Sequence, residues 1–343
     1  MGVIGIGTMG SMHAKVYEQL PNTELVAIAD LDIARAQKFA REFDHDVQCY
    51  RNYKDLMANP EIDAVSIALP DHLHKEPVII ALESGKHVLV EKPLATNLND
   101  CDRMIRVAEE CQKILMVNYT HRWAPPYAKA KELLEQGNMG QPLMAYARKN
   151  DTIRVIVELW PWLANSTPPA FLSSHDIDLV RWYFGCEAKT VYARGVKRVL
   201  KAKGIDTLDV AQALVEFENG AIATFESGWV YPNSFPTDTD SYMEIITENG
   251  VIHLDRKKEV VEISDDMSYR LPKTSISYRV EGRLEGAFKS ALEHFVTCIV
   301  KGVRPITSGA DARQVGEIVE AIHLSISSGE PVALPLQRSC IQD

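Results

Sequence analysis

At 343 residues, with 46% hydrophobic and 24% charged residues, the chain has the make-up of a globular protein with two domains. Its formal net charge of −10 excludes the basic footprint that a nucleic-acid or anionic-membrane partner needs. No apolar run reaches the roughly 18 residues of a membrane span, and no basic region followed by an apolar core opens the chain. The six cysteines (Cys49, Cys101, Cys111, Cys186, Cys298 and Cys340) form no CxxC pair and no zinc spacing. They read as reduced thiols, so the cytoplasm is the expected compartment and no metal is expected.

Gly2 to Gly10 is a short apolar strand running into Gly5-Ile6-Gly7-Thr8-Met9-Gly10, and a helical pattern follows from Ser11 to Leu20. In that setting Gly5 permits the tight turn, Gly7 lets backbone approach a pyrophosphate, and Gly10 lets the helix pack on the strand. The helix N-terminus, with Thr8 and Met9, offers N–H groups to phosphates. The strand begins almost at Met1, so a natural start a few residues upstream is an expectation. A second apolar strand, Glu24 to Asp30, ends in an acid twenty residues beyond Gly10, about the spacing of a carboxylate that binds adenosine ribose hydroxyls. Asp30 would repel a 2′-phosphate, so NAD is favoured over NADP, with Arg35 as the residue that argues the other way. Capping of the next helix is the competing use of Asp30, and Asp32 can serve that purpose instead.

Asp63 to Leu69 reads as a strand, Pro70 to His74 as the loop after it, and Glu76 to Ser84 as a helix stopped by Gly85. Val88-Leu89-Val90 is a strand of the kind buried on both faces, and it ends abruptly in Glu91-Lys92-Pro93. An ammonium is a costly way to end a buried strand, and the carboxyl ends of such strands are where open α/β sheets hold ligands. Asn99 to Gln112 is an amphipathic helix and Ile114 to Asn118 another buried strand. Strands and helices alternating in this way make a parallel sheet, so residues 1–118 are expected to form a Rossmann dinucleotide-binding domain.

The rhythm then changes. Tyr127 to Gln136 is helical, Leu143 to Arg154 has strand character, and Ser174 to Phe184 is a helix followed by Gly185. Four strand-like runs come next: Lys189 to Gly195, Asp209 to Glu218, Ala221 to Tyr231 and Tyr242 to Ile252. Asn219-Gly220 and Glu248-Asn249-Gly250 are hairpin signals. Gly286 to Val300 and Ala310 to Ser325 are late helices, and Pro331 to Pro335 is too short to assign. Residues 119–343 are therefore expected to be an α+β domain with a large mixed or antiparallel sheet, and the whole chain an α/β protein with that domain second. A broad sheet face needs covering, so a homodimer or homotetramer through the second-domain sheet is expected.

The glycine motif with His13, then Glu91-Lys92-Pro93, then His175-x-x-Asp178 with Arg181-Trp182 resembles the glucose–fructose oxidoreductase/inositol dehydrogenase (Gfo/Idh/MocA) family over almost the whole chain. The resemblance implies hydride transfer between a nicotinamide cofactor and a secondary alcohol of a sugar, sugar derivative or cyclitol. It implies that Lys92 hydrogen-bonds the reacting oxygen and that His175 exchanges its proton. Both roles are chemically sound: an ammonium stabilises alkoxide character, and histidine titrates near neutrality. Pro70 and His74 match the family's loop on the nicotinamide side, and Glu91 belongs to the cofactor-binding strand end.

One departure stands out. The family commonly has an aspartate four residues before the histidine, where this chain has Phe171, preceded by Pro168-Pro169-Ala170. Asp176 and Asp151 are candidate substitutes, and Phe171 with Trp160 can form an apolar wall for a sugar face. Arg122, near Asn118 at the domain junction, is a candidate for substrate hydroxyls or a carboxylate. Two alternatives to the NAD-dependent dehydrogenase stay open: a non-catalytic NAD-binding regulator, and an NADP-dependent keto-sugar reductase.

Overall fold

The structure, a computed structural model, describes residues 1–258, 261–272 and 274–336; Cys340 lies outside them. Two units divide it, Met1–Trp123 with Ser277–Arg313, and Ala124–Ile276 with the described residues from Gln314 onward.

In the first unit, six short strands pair in parallel: β1 (Gly2–Ile4), β2 (Ala27–Ala29), β3 (Gln48–Tyr50), β4 (Ala64–Ile67), β5 (His87–Val90) and β6 (Leu115–Val117). Their order is β3-β2-β1-β4-β5-β6, so the winding direction reverses between β1 and β4. Ligands of such sheets bind outside the strand ends at that reversal. Helices α1 (Thr8–Tyr17), α2 (Ile33–Ala40), α3 (Tyr53–Met57), α4 (Lys75–Glu83) and α5 (Leu98–Glu110) connect the strands. Both faces of the sheet are thereby covered, which is why β1, β2, β4 and β6 are buried throughout. Asp32 caps α2 by accepting from the Arg35 N–H at 3.0 Å, which leaves Asp30 free of that task.

The second unit opens with α6 (Pro125–Glu135), started by Pro125 and Pro126 at positions where a missing N–H costs nothing. Its seven-stranded sheet holds β7 (Pro142–Thr152), β8 (Ala188–Val196), β9 (Val210–Phe217), β10 (Ile222–Tyr231), β11 (Thr239–Thr247) and β12 (Gly250–Asp255). β7 and β10 pair in parallel and the other pairs are antiparallel, so the sheet is mixed. The single run expected from Tyr242 to Ile252 is two strands. Glu248-Asn249 turns the chain between them, a local signal that outweighs the continuous apolar pattern. α7 (Ser174–Phe184) ends on Gly185 in the left-handed conformation, and the short α8 (Val199–Ala202) starts on three N–H groups that donate to Asp209. One sheet face buries Ala145, Ala147, Ala211, Ala213, Ala223, Phe225, Met243 and Ile245. Two-stranded hairpins follow, β13 (Ile263–Ser264) with β14 (Tyr269–Arg270), then β15 (Tyr278–Val280) with β16 (Arg283–Glu285).

The last of these belongs to the first unit, as does α9 (Ala287–Lys301), whose Phe288, Leu292 and Phe295 join Val3, Ile28, Leu89 and Met116 in one core. Residues 277–313 thus complete the dinucleotide-type unit although they follow the second sheet in sequence. α10 (Gly309–Ser328) leads on to β17 (Val332–Ala333), which pairs with the edge of β8.

Candidate active site

The glycine turn separates three functions at three positions. Gly5 has φ +84°, and a Cβ there would sit 2.6 Å from the Ala68 carbonyl oxygen. A Cβ on Gly10 would fall 1.7 Å from the Gly5 carbonyl oxygen, so α1 approaches the strand as only glycine allows. At Gly7 nothing lies within 4 Å of that position. Gly7 is also the N-cap of α1, with no side chain capping the first turn and no acid within it. Open space, uncapped N–H groups and a positive helix end together fit a pyrophosphate.

Asp30 closes the other side of this turn. Its Oδ2 accepts from the Ile6 N–H at 2.7 Å, and its Oδ1 accepts from the Asp32 N–H at 2.9 Å and from the Arg35 guanidinium at 2.6 Å. The carboxylate is buried while the Arg35 side chain is half-exposed. Arg35 therefore joins Asp30, and the carboxylate at this strand end is held fixed.

Glu91 follows β5 and turns inward. Its Oε1 lies 2.9 Å from His13 Nε2 and accepts from the Asn118 amide at 2.8 Å. His13 Nδ1 lies 3.0 Å from Ser66 Oγ, which lies 2.6 Å from the Tyr17 hydroxyl. Burial pushes the Glu91 carboxyl up, but the hydrogen bond and charge of His13, then the Asn118 hydrogen bond and the Lys92 charge, outweigh it and hold the group below the usual carboxylate range. Lys92 comes next, joined to Pro93 by a cis peptide bond.

His74 is fully buried, and each ring nitrogen lies 2.9 Å from a carbonyl oxygen, Pro93 on one side and Leu69 on the other. Burial lowers its proton affinity more than the two carbonyls raise it. The ring joins the loops after β4 and β5. Arg122 is also buried and donates to the Ile306 carbonyl at 2.6 Å. That bond ties the loop after β6 to the segment before α10.

In the second unit, a π-helical turn over Pro169–Ser173 runs directly into α7 and carries the half-buried His175 onto its first turn. Asp178, one turn on, is fully buried. Phe171 sits among three tryptophans, with ring centroids 6.0 Å from Trp160, 5.8 Å from Trp162 and 6.3 Å from Trp229. The expected Phe171–Trp160 contact exists, and it is one edge of a larger apolar cluster with Val155, Ile156, Leu163 and Leu172.

Asp176 does not point outward with His175. It forms an ion pair with Lys149 of β7 at 3.0 Å, both side chains at least 96% buried. Burial lowers the Lys149 proton affinity and raises that of Asp176. Asp176 Oδ2 has no partner among the described residues. Lys149 escaped the sequence reading, yet a signal was there: Ala145, Ala147 and Lys149 share one parity of β7, and that parity faces inward. The His13–Ser66–Tyr17 chain had no comparable signal, because its members come from separate elements.

Two family models match the chain: residues 1–119 fit an oxidoreductase family with an NAD-binding Rossmann fold, and residues 127–253 fit the GFO/IDH/MocA C-terminal domain. The chain belongs to the GFO/IDH/MocA oxidoreductase family. It is 29% identical to the scyllo-inositol 2-dehydrogenase (NAD(+)) of Bacillus subtilis, covering 98% of this chain and 96% of that protein. It is 26% identical to the myo-inositol 2-dehydrogenase of Thermotoga maritima, covering 91% and 92%. The scyllo-inositol dehydrogenase of Lactobacillus casei, solved with NAD(H) and scyllo-inositol, shares the fold with a TM-score of 0.83 at 22% identity, covering 97% and 98%. NAD is thus the cofactor of this family member.

Proposed function

We propose that this family member oxidises a secondary alcohol of a cyclitol, or of a sugar closely like one, with NAD as the acceptor. The observation that carries the reading is a single sheet that has an open phosphate turn after β1 and a lysine directly after β5. The names of the relatives direct the substrate choice to inositols. Gly7, Thr8, Met9 and Gly10 would hold the pyrophosphate, Asp30 the adenosine ribose, and Pro70 and Glu91 the walls of the nicotinamide side. When bound, NAD supplies the hydride acceptor. Lys92 donates a hydrogen bond to the carbinol oxygen and stabilises its developing negative charge. His175 takes the hydroxyl proton, as a neutral imidazole can near pH 7. Trp160 and Phe171 offer apolar surface that suits the axial C–H face of a ring.

A homo-oligomer is part of this reading. The outward face of the second sheet exposes Met144, Tyr192, Leu214, Ile222 and Val251, an apolar set that association would cover. A cytoplasmic setting accords with the five described cysteines, all of them free thiols. Among the described residues no helix is long and apolar enough to cross a membrane. The deciding experiment mixes purified protein with NAD and a panel of inositols and polyols and follows NADH. Turnover of a cyclitol is expected, with Lys92→Ala losing at least 100-fold in kcat; undiminished turnover in that variant would remove Lys92 from the chemistry.

A further inference from the structure

His74 presents a proton count that a neutral ring cannot meet. It is fully buried at the head of α4, with Nδ1 2.9 Å from the Pro93 carbonyl oxygen and Nε2 2.9 Å from that of Leu69. A carbonyl oxygen only accepts, so both contacts are hydrogen bonds only when both ring nitrogens carry protons. A neutral imidazole has one N–H and can donate to one of the two oxygens. On its other side a nitrogen lone pair faces the lone pairs of an oxygen, and that contact is repulsive. The imidazolium satisfies both sides at once.

The two carbonyls belong to different loops. Leu69 precedes Pro70 after β4, Pro93 follows Lys92 after β5, and β4 and β5 are neighbouring parallel strands. These are the carboxyl ends of the strands, the side on which an open α/β sheet holds its ligands. Burial is the largest influence on the ring and brings its titration below histidine's ordinary 6.5. The two carbonyls favour the cation, as do Asp71, from the 3-10 turn Asp71–Leu73, and Glu91, from the end of β5. Other charged groups nearby in the chain have partners of their own: Lys75 pairs with Asp100 of α5, Glu76 with Lys54 of α3, and His72 lies 3.5 Å from Asp71.

We propose that His74 is a positioning residue that works as a proton-operated latch: with two ring protons it ties the loop after β4 to the loop after β5, and with one it holds only one of them. On the dehydrogenase reading these loops carry Pro70 and Lys92, so the latch sets how firmly the nicotinamide side is assembled. A cofactor held by both loops favours the doubly protonated ring, and binding it takes up a proton where free His74 is neutral. Only this coupling rests on the dehydrogenase reading; the latch stands on the two contacts.

The first test reads the ring in the full chain without cofactor. Long-range 1H–15N NMR of histidine-labelled protein reports the protonation of each ring nitrogen, and His74→Gln assigns the signals. Between about pH 8 and about pH 5 the ring should pass from one protonated nitrogen to two. Over the same step, after correction for intrinsic rates, hydrogen exchange of peptides covering 69–74 and 91–95 should slow together by roughly tenfold, the scale of one hydrogen bond. His74→Gln, with one donor group, should show no step and should exchange like the neutral wild type. A ring whose protonation does not change across that range, or a step that persists in folded His74→Gln, overturns the latch. If the variant does not fold, the wild-type midpoints decide alone: coincidence of ring titration and exchange supports the latch, and separation overturns it. Calorimetric titration with NAD at about pH 7, in buffers of different ionisation enthalpy, then tests the coupling. Wild type should take up a fraction of a proton that His74→Gln does not, and equal uptake by both overturns the coupling. A wild type that binds no NAD would instead overturn the dehydrogenase reading, while the exchange result still decides the latch.

Discussion

Gly7 and Gly10 make opposite predictions from adjacent turns of one motif. At Gly7 a methyl group meets nothing within 4 Å, and its backbone, φ −82° and ψ −159°, is one any residue adopts. Gly7→Ala should therefore fold normally and gain about 0.4–1 kcal/mol through a stiffer unfolded chain. The same methyl would occupy the approach to the uncapped N–H groups of α1. Losing one charge-assisted hydrogen bond to phosphate costs about 1.5–3 kcal/mol, or roughly 10- to 100-fold in NAD affinity. At Gly10 the added carbon would lie 1.7 Å from the Gly5 carbonyl oxygen, and backbone cannot yield as a side chain does. Gly10→Ala should cost at least the 1–3 kcal/mol typical of overpacking, with NAD binding lost as a consequence. Denaturant unfolding gives the stabilities, and titration calorimetry with NAD gives the affinities. A Gly7→Ala protein that binds NAD as tightly as wild type would refute the placement of the pyrophosphate at this turn.

Three further outcomes follow from other parts of the molecule. Removing one member of the Lys149–Asp176 pair, by Lys149→Met or Asp176→Asn, should cost about 3–5 kcal/mol in urea unfolding, because the other charge stays buried alone. The double variant Lys149→Met/Asp176→Leu should recover most of that loss, and equal additive losses would contradict the coupling. Glu91, whose folded pKa lies below its ordinary 4.5, contributes stability above that value and loses it as pH falls through the folded pKa. The acid limb of the stability profile below about pH 4.5 should therefore flatten in Glu91→Gln, and an unaltered slope would assign it to other carboxylates. Leu214→Glu with Ile222→Glu on the outward sheet face should lower the mass seen by light scattering; a wild-type protein that is already monomeric would end the oligomer reading.

The first unit was legible because its constraints are local. A glycine turn, an acid at the end of β2 and a charged end to β5 each occupy a few consecutive residues, and backbone sterics fix what they can do. The same holds for α7, bounded by Gly185, and for the β9–β10 hairpin at Asn219-Gly220. The joining of residues 277–313 to the first sheet was not legible. α9 is amphipathic in sequence, but amphipathicity names a buried face without naming what buries it.

His74, Arg122 and Asp176 show the same limit at the level of single side chains. Each is a charged or titratable residue near a strand or helix end, where sequence reasoning assigns it to a ligand. Each also has a partner inside its own unit: His74 lies between two carbonyls, Arg122 donates to Ile306, and Asp176 pairs with Lys149. Glu91 makes the point most sharply, since Glu91 and Lys92 are adjacent in sequence yet take opposite parts. The carboxylate turns into the core to complete a hydrogen-bonded string with His13 and Asn118, while Lys92 stays half-buried at the strand end.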